Sequence, residues 1–266
     1  MIDMEVSAEQ EQIVDSVRSF LIEELPYERF VPRPTPTPNE DRRKFAMLGE
    51  LGVFGLGISE ADGGVGYTLV EELLVAREFG RFLVSPSVVA TVIAAHVALA
   101  SDDSELATQL MQGTVCVGAG LAFSPASRHF ASEFHLLEAD GADWVLLWTE
   151  GGLALVRSDQ AMRRDVASID SSITLSRIVA TELMPRRRVD RSSRLWRRAQ
   201  LLVSAYLTGL AEGSLSDSID HVRVREQFEQ PIGAFQAVKH RCADMLARAS
   251  VAWNQTIFAA LMEMAD

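Results

Sequence analysis

Arg225-Glu226-Gln227-Phe228-Glu229-Gln230-Pro231-Ile232, followed by Phe235-Gln236 and then Lys239-His240-Arg241-Cys242-Ala243-Asp244-Met245, decides how this chain is read. A charged helix end breaks at a proline, restarts at an aromatic-amide pair and runs straight into a second amphipathic helix. Taken singly, Arg225 would be a helix-terminal cation favoured by the helix dipole. Its planar, permanently charged fork also suits a task that an isolated cation performs less well, the pairing of two phosphate oxygens at once. The string around it favours that second task.

Working outward, Leu48-Gly49-Glu50-Leu51-Gly52-Val53-Phe54-Gly55-Leu56-Gly57-Ile58-Ser59-Glu60 leads into Asp62-Gly63-Gly64-Val65-Gly66-Tyr67. Glycine at each break suits a helix C-terminus that ends in a left-handed residue and a loop that passes close to its neighbours. The rival reading, a phosphate-cradling loop, lacks both a GxGxxG after a strand and a terminal Lys-Ser or Lys-Thr pair. Glu71-Glu72-Leu73 to Glu78-Phe79-Gly80-Arg81 reads as the next helix, closed by Pro86.

The 266 residues, 48% of them hydrophobic and 7% aromatic, describe a well-buried globular protein and exclude a disordered one. A net charge of -12 argues against a nucleic-acid partner, because phosphate affinity comes from clustered cations. Arg186, Arg187, Arg188, Arg191, Arg194, Arg197 and Arg198 nevertheless form a dense basic patch, either a solvated face or a surface that meets an anion or an acidic partner. Cys116 and Cys242 fall in segments that read as buried strand and buried helix, which supports neither a disulfide framework nor a thiolate metal site. His96, His129, His135, His221 and His240 show no ligand spacing on a common helix face, and no metal is expected. No cationic start precedes an apolar core near the N-terminus and no apolar run reaches spanning length, so the expected location is the cytoplasm.

Ser7-Ala8-Glu9-Gln10 is a capping-box pattern, with Ile13, Val14, Val17, Phe20 and Leu21 following at helical spacing. The proline-rich stretch Val31 to Pro38 predicts an extended loop. Further helices are predicted over 41–51, 68–79, 88–100 and 104–111. From Val115 the pattern changes to short apolar runs over 115–123, 133–138, 144–150, 153–157 and 173–182, broken by Asp140-Gly141 and Gly151-Gly152, which predict a small antiparallel sheet. The helical period returns over 194–223 and 238–264.

This order of helices, strands and helices, together with the two quoted stretches, resembles the acyl-CoA dehydrogenase family over nearly the whole chain. Arg225, Phe228, Pro231, Ile232, Phe235 and Gln236 fall on the family's C-terminal signature, while His221 stands where Tyr is usual and Glu229 where Gly is usual. The resemblance implies an α+β, mostly α fold: an N-terminal helical domain over 1–113, a small central antiparallel β domain over 114–187, and an incomplete C-terminal helical bundle over 188–266. It also implies FAD, with Arg225 on the pyrophosphate, Phe228 near the adenine end and Gln236 helping to hold the cofactor, all in a neighbouring subunit's site.

Family members hold the flavin ring through a Thr-Glu-Pro-containing loop and an aromatic-Ile-Thr segment in the sheet domain. Ala122-Phe123-Ser124-Pro125-Ala126-Ser127 stands at the first position and the second has no counterpart, which predicts that this chain does not hold an isoalloxazine by itself. Of the family's two locations for a catalytic carboxylate, one falls on Ala199 beside Gln200 and the other lies beyond Asp266, so no catalytic residue is assigned. Two further helices usually complete the family's bundle, and without them Leu201, Leu202, Tyr206, Leu210, Met245, Leu246, Ile257 and Leu261 are expected to be exposed.

The leading expectation is a subunit of a heteromeric acyl-CoA dehydrogenase complex. It contributes FAD contacts to a paralogous catalytic subunit that desaturates an acyl-CoA, by analogy with two-chain systems a bulky steroid-type thioester. The alternatives are a homo-oligomeric acyl-CoA dehydrogenase seen incomplete and a non-catalytic scaffold on the same fold.

Overall fold

The computed structural model describes residues 4–26, 38–122, 132–160, 163–168, 173–180, 185 and 187–265. The chain forms two compact units, one gathering Met1–Leu25, Leu73–Val84 and Leu201–Asp266, the other Pro26–Glu72 and Ser85–Gln200.

The first unit is helical. Helix α1 (Ala8–Glu24) opens on the predicted box: the Ser7 hydroxyl accepts from the Gln10 amide while the Gln10 side chain accepts from the Ser7 amide, and Val14, Val17 and Leu21 are buried. It is joined by most of a helix α3 (Leu69–Arg81), most of the 31-residue α6 (Arg194–Val224) and α7 (Gln236–Ala265). Helices α3 and α6 touch backbone to backbone at two glycines. A Cβ on Gly80 would collide with the Tyr206 carbonyl oxygen, and one on Gly209 with the Arg77 carbonyl oxygen. The Tyr206 hydroxyl donates to the Val84 carbonyl at 2.6 Å just beyond the crossing.

In the second unit, helix α2 (Pro38–Glu50) is followed by 3-10 turns at Val53–Gly55 and Glu60–Asp62. Helix α4 (Ser87–Leu99) is buried almost all round, and α5 (Ser104–Met111) is capped by Asp103, whose carboxylate accepts from the Leu106 amide. The strands are β1 (Val117–Ala122), β2 (Ser132–Leu137), β3 (Trp144–Thr149), β4 (Gly152–Arg157), β5 (Arg163–Asp165), β6 (Leu175–Ala180) and β7 (Arg187–Asp190). They form a sheet in the order β5-β6-β2-β1-β3-β4-β7. Phe134, Leu136, Val145, Leu147, Ala154, Val156 and Ile178 alternate onto one face and make its core. On the β3 end, Trp148 meets Trp196 at 5.3 Å between ring centroids.

Several details depart from the sequence reading. Pro38 begins α2 where an extended loop is predicted, a position at which its missing N–H costs nothing; residues 31–37 lie outside the described residues. The sheet is antiparallel except for β1 against β3, which run parallel. Strands β5 and β7 are absent from the prediction because their arginines mask the pattern. Both are edge strands, where charge is favoured because it discourages pairing with other chains. Cys116 and Cys242 are half-buried, not buried. Leu202, Tyr206 and Ile257 are buried in spite of the expected exposure, whereas Met245 and Leu246 are exposed.

Candidate functional site

Helix α6 ends at Val224, and the Arg225 amide still donates to the His221 carbonyl. The chain then folds into a hairpin of β8 (Glu226–Gln227) and β9 (Gln230–Pro231), closed at its base by the Ile232 amide donating to the Arg225 carbonyl at 2.8 Å. Its two-residue turn is Phe228-Glu229, with φ of 55° and 64°. A 3-10 turn over Ile232–Ala234 leads to Phe235, whose carbonyl accepts from the Val238 and Lys239 amides, so that α7 begins at Gln236.

The three sequence-predicted residues are all exposed, Arg225 at the base of the hairpin, Phe228 in its turn and Gln236 at the start of α7. Phe228 stands edge-on to Phe235, with 6.1 Å between ring centroids, which places the turn beside the residue that precedes α7. Phe228 is 86% exposed and Val224 77%, the largest exposures among the large apolar residues described. Arg225 and Gln236 are exposed too, and neither makes a side-chain hydrogen bond or ion pair among the described residues. The nearby Arg223 faces Asp220 at 3.6 Å, leaving the Arg225 fork as the available one.

Ala199, at one family location for the base, is fully buried and offers a methyl group; Gln200 beside it is exposed. Glu212 is held by Arg77 through two contacts of 2.7 and 2.5 Å and by Arg81 at 2.8 Å. A carboxylate so engaged is a structural anion. The ring-binding position at Phe123 to Ser127 lies outside the described residues.

A second polar centre is absent from the sequence reading. Buried Glu72 accepts from the Gly57 amide at 3.2 Å and from Arg198 Nε at 2.7 Å, and lies 2.8 Å from His96 Nε2. Arg198 also donates to the Gly57 carbonyl at 3.3 Å. Burial pushes the Glu72 carboxyl up, but His96 and Arg198 outweigh burial and hold it below the ordinary glutamate value. The signal that could have revealed it is an acid within Leu69-Val70-Glu71-Glu72-Leu73-Leu74 and a histidine ending the apolar run Val88 to Ala95.

The basic patch divides in the same way. Arg198 serves Glu72, and Arg187 pairs with Asp103 while lying over the Trp144 ring at 4.7 Å. Arg188, Arg191 and Arg194 are exposed, and Arg186 lies outside the described residues. In the helical unit, an open groove of about 830 Å³ runs between α6 and α7, lined by Leu201, Leu207, Leu215, Met245, Ala249 and Arg248 among others. No group of three or more candidate metal ligands occurs among the described residues, and none of the described helices is long and apolar enough to cross a membrane.

Comparison with known proteins places the chain. Residues 7–107 match the acyl-CoA dehydrogenase N-terminal domain and residues 195–266 the acyl-CoA dehydrogenase C-terminal domain. The chain belongs to the acyl-CoA dehydrogenase family. It is 32% identical to the acyl-CoA dehydrogenase FadE34 of Mycobacterium tuberculosis over 79% of its own length and 30% of the relative's. It is also 32% identical to the acyl-CoA dehydrogenase IpdE2 of the same organism, over 74% of this chain and 58% of that one. The chain thus spans from about a third to under two thirds of the length of these curated relatives. Its fold superposes on the Tcur3481-Tcur3483 steroid acyl-CoA dehydrogenase with a TM-score of 0.71, at 20% identity, covering 95% of this chain and 78% of that one. The expected mostly helical α+β architecture is therefore the family's.

Proposed function

We propose that this chain is a subunit of a flavin-dependent acyl-CoA dehydrogenase complex that supplies FAD contacts to a paralogous catalytic subunit. The observation that carries the reading is the hairpin: Arg225, Phe228 and Gln236 are all exposed between the end of α6 and the start of α7, with the arginine and amide groups unengaged among the described residues. Groups arranged in this way suit a cofactor held by another molecule. A guanidinium fork fits a pyrophosphate, an exposed aromatic edge fits an adenine ring, and a primary amide offers both donor and acceptor.

Bound FAD supplies the hydride-accepting ring, so the reaction is loss of hydrogen across the α and β carbons of an acyl-CoA thioester. On this reading a carboxylate of the paralogue removes the α-proton; within the described residues, buried Ala199 offers no base and Glu212 is tied to Arg77 and Arg81. This chain's residues bind and orient. A bulky, steroid-type acyl group is the substrate class favoured by the likeness to a steroid acyl-CoA dehydrogenase, and the cytoplasm, where acyl-CoA is at hand, is the proposed location.

The test is the visible flavin spectrum of the chain purified alone and after co-expression with its genomic-neighbour paralogue. The expected result is a colourless isolated chain and a yellow complex. Stoichiometric FAD on the isolated chain would overturn the proposal.

A further inference from the structure

We infer that His221 is a second cofactor-binding residue, donating a ring N–H to the FAD pyrophosphate beside the Arg225 fork. The inference rests on the proposed placement of Arg225 in a neighbouring subunit's FAD site and adds the group that shares the phosphate charge with it.

The end of α6 sets the geometry. The Arg225 amide donates to the His221 carbonyl at 2.9 Å, so the two residues are one helical turn apart. Side chains spaced by four lie on one face of a helix, with Cβ atoms about 5–6 Å apart. Imidazole and guanidinium are therefore surface neighbours at the point where the helix gives way to the hairpin. Both residues are exposed, and His221, like Arg225, makes no side-chain hydrogen bond or ion pair among the described residues. Asp217 stands one turn back on the same face, at the spacing of an ion pair, and does not engage the imidazole.

The ligand's charge asks for a second donor. A pyrophosphate carries two negative charges and a guanidinium one positive charge, so Arg225 alone leaves phosphate oxygens in want of a partner. Other cations close in sequence are placed differently. Arg223 faces Asp220 at 3.6 Å. Lys239 and His240 follow Gln236 by three and four residues and share its face of α7, a separate element. His221 is the donor that the helix itself sets beside Arg225, and an imidazole offers a ring N–H in either protonation state.

The experiment is FAD retention by the complex co-purified with the paralogue, for wild type, His221→Phe, His221→Arg and Arg225→Ala, with assembly checked in each. Phenylalanine keeps an aromatic ring and removes the donor; it is expected to raise the FAD dissociation constant about fivefold to tenfold with assembly intact. Arginine restores a donor and is expected to return retention to near the wild-type value, a rescue that a residue serving only to pack would not show. Wild-type retention in His221→Phe, with FAD lost from Arg225→Ala, overturns the inference and leaves the proposed function standing. Equal loss from His221→Phe and His221→Arg overturns it too, because the ring's shape and not its donor would then be what matters. Full retention in both His221→Phe and Arg225→Ala overturns the placement of Arg225 itself.

Discussion

At Glu72, burial and charge pairing act against each other. Its carboxylate is buried and lies against His96, Arg198 and the Gly57 amide. Because its folded pKa is held below its unfolded value, it contributes stability that is present above the unfolded pKa and lost as pH falls through the folded one. The melting temperature is therefore expected to fall as pH drops below the ordinary glutamate value of about 4.3. Glu72→Gln should remove much of that dependence and cost about 3 kcal/mol near neutral pH, since it leaves Arg198 facing an amide in a buried site. Thermal melts of both proteins across the acid range check this, and an unchanged acid slope in the variant would contradict it. The residue is hard to find from sequence because acids within amphipathic helices usually face water. Only its partners, brought from 24 and 126 positions away, disclose it.

At the scale of elements, the crossing of α3 and α6 depends on Gly80 and Gly209, each with no room for a Cβ against the other helix's backbone. Alanine at either site should destabilise the helical unit by roughly 1–3 kcal/mol through overpacking, even though alanine is the better helix former. Denaturant titration reads the sign directly; a stabilising alanine would show that the helices do not pack this closely. Glu212 belongs to the same crossing, shared between Arg77 and Arg81, and Arg77 also lies over Trp253 at 4.1 Å. Glu212→Gln should thus lower the melting temperature, with turnover per folded complex unchanged within a few fold, and a thousandfold loss of turnover in well-folded protein would make Glu212 the base instead. The helices themselves are legible from apolar spacing and caps, as Ser7 and Asp103 show. Which helices cross is not, because a helical glycine reads in sequence only as a local cost and its partner lies far along the chain. The edge strands β5 and β7 were illegible for a related reason: their arginines answer to the sheet's rim and not to its core.

For the molecule as a whole, the fold was readable because two local strings, Leu48 to Tyr67 and Arg225 to Gln236, resemble a family whose architecture they imply, and family membership follows from matches over both ends of the chain. The candidate site was readable in the second string because hairpin, turn and helix start are continuous in sequence. The exposure of Phe228, the left-handed pair and the Arg225 fork, unengaged among the described residues, required coordinates, since accessibility is a property of everything that fails to cover a residue. The central claim is that this fork completes a cofactor site in another subunit, and the most direct measurement is FAD retention by the intact complex with Arg225→Ala in this chain, Arg191→Ala serving as a control for general positive charge. A charge-assisted contact of about 1.5–3 kcal/mol predicts FAD release at roughly tenfold to a hundredfold higher dissociation constant in Arg225→Ala, with assembly intact and Arg191→Ala like wild type. Equal retention in all three complexes, or equal loss in both variants, would contradict it.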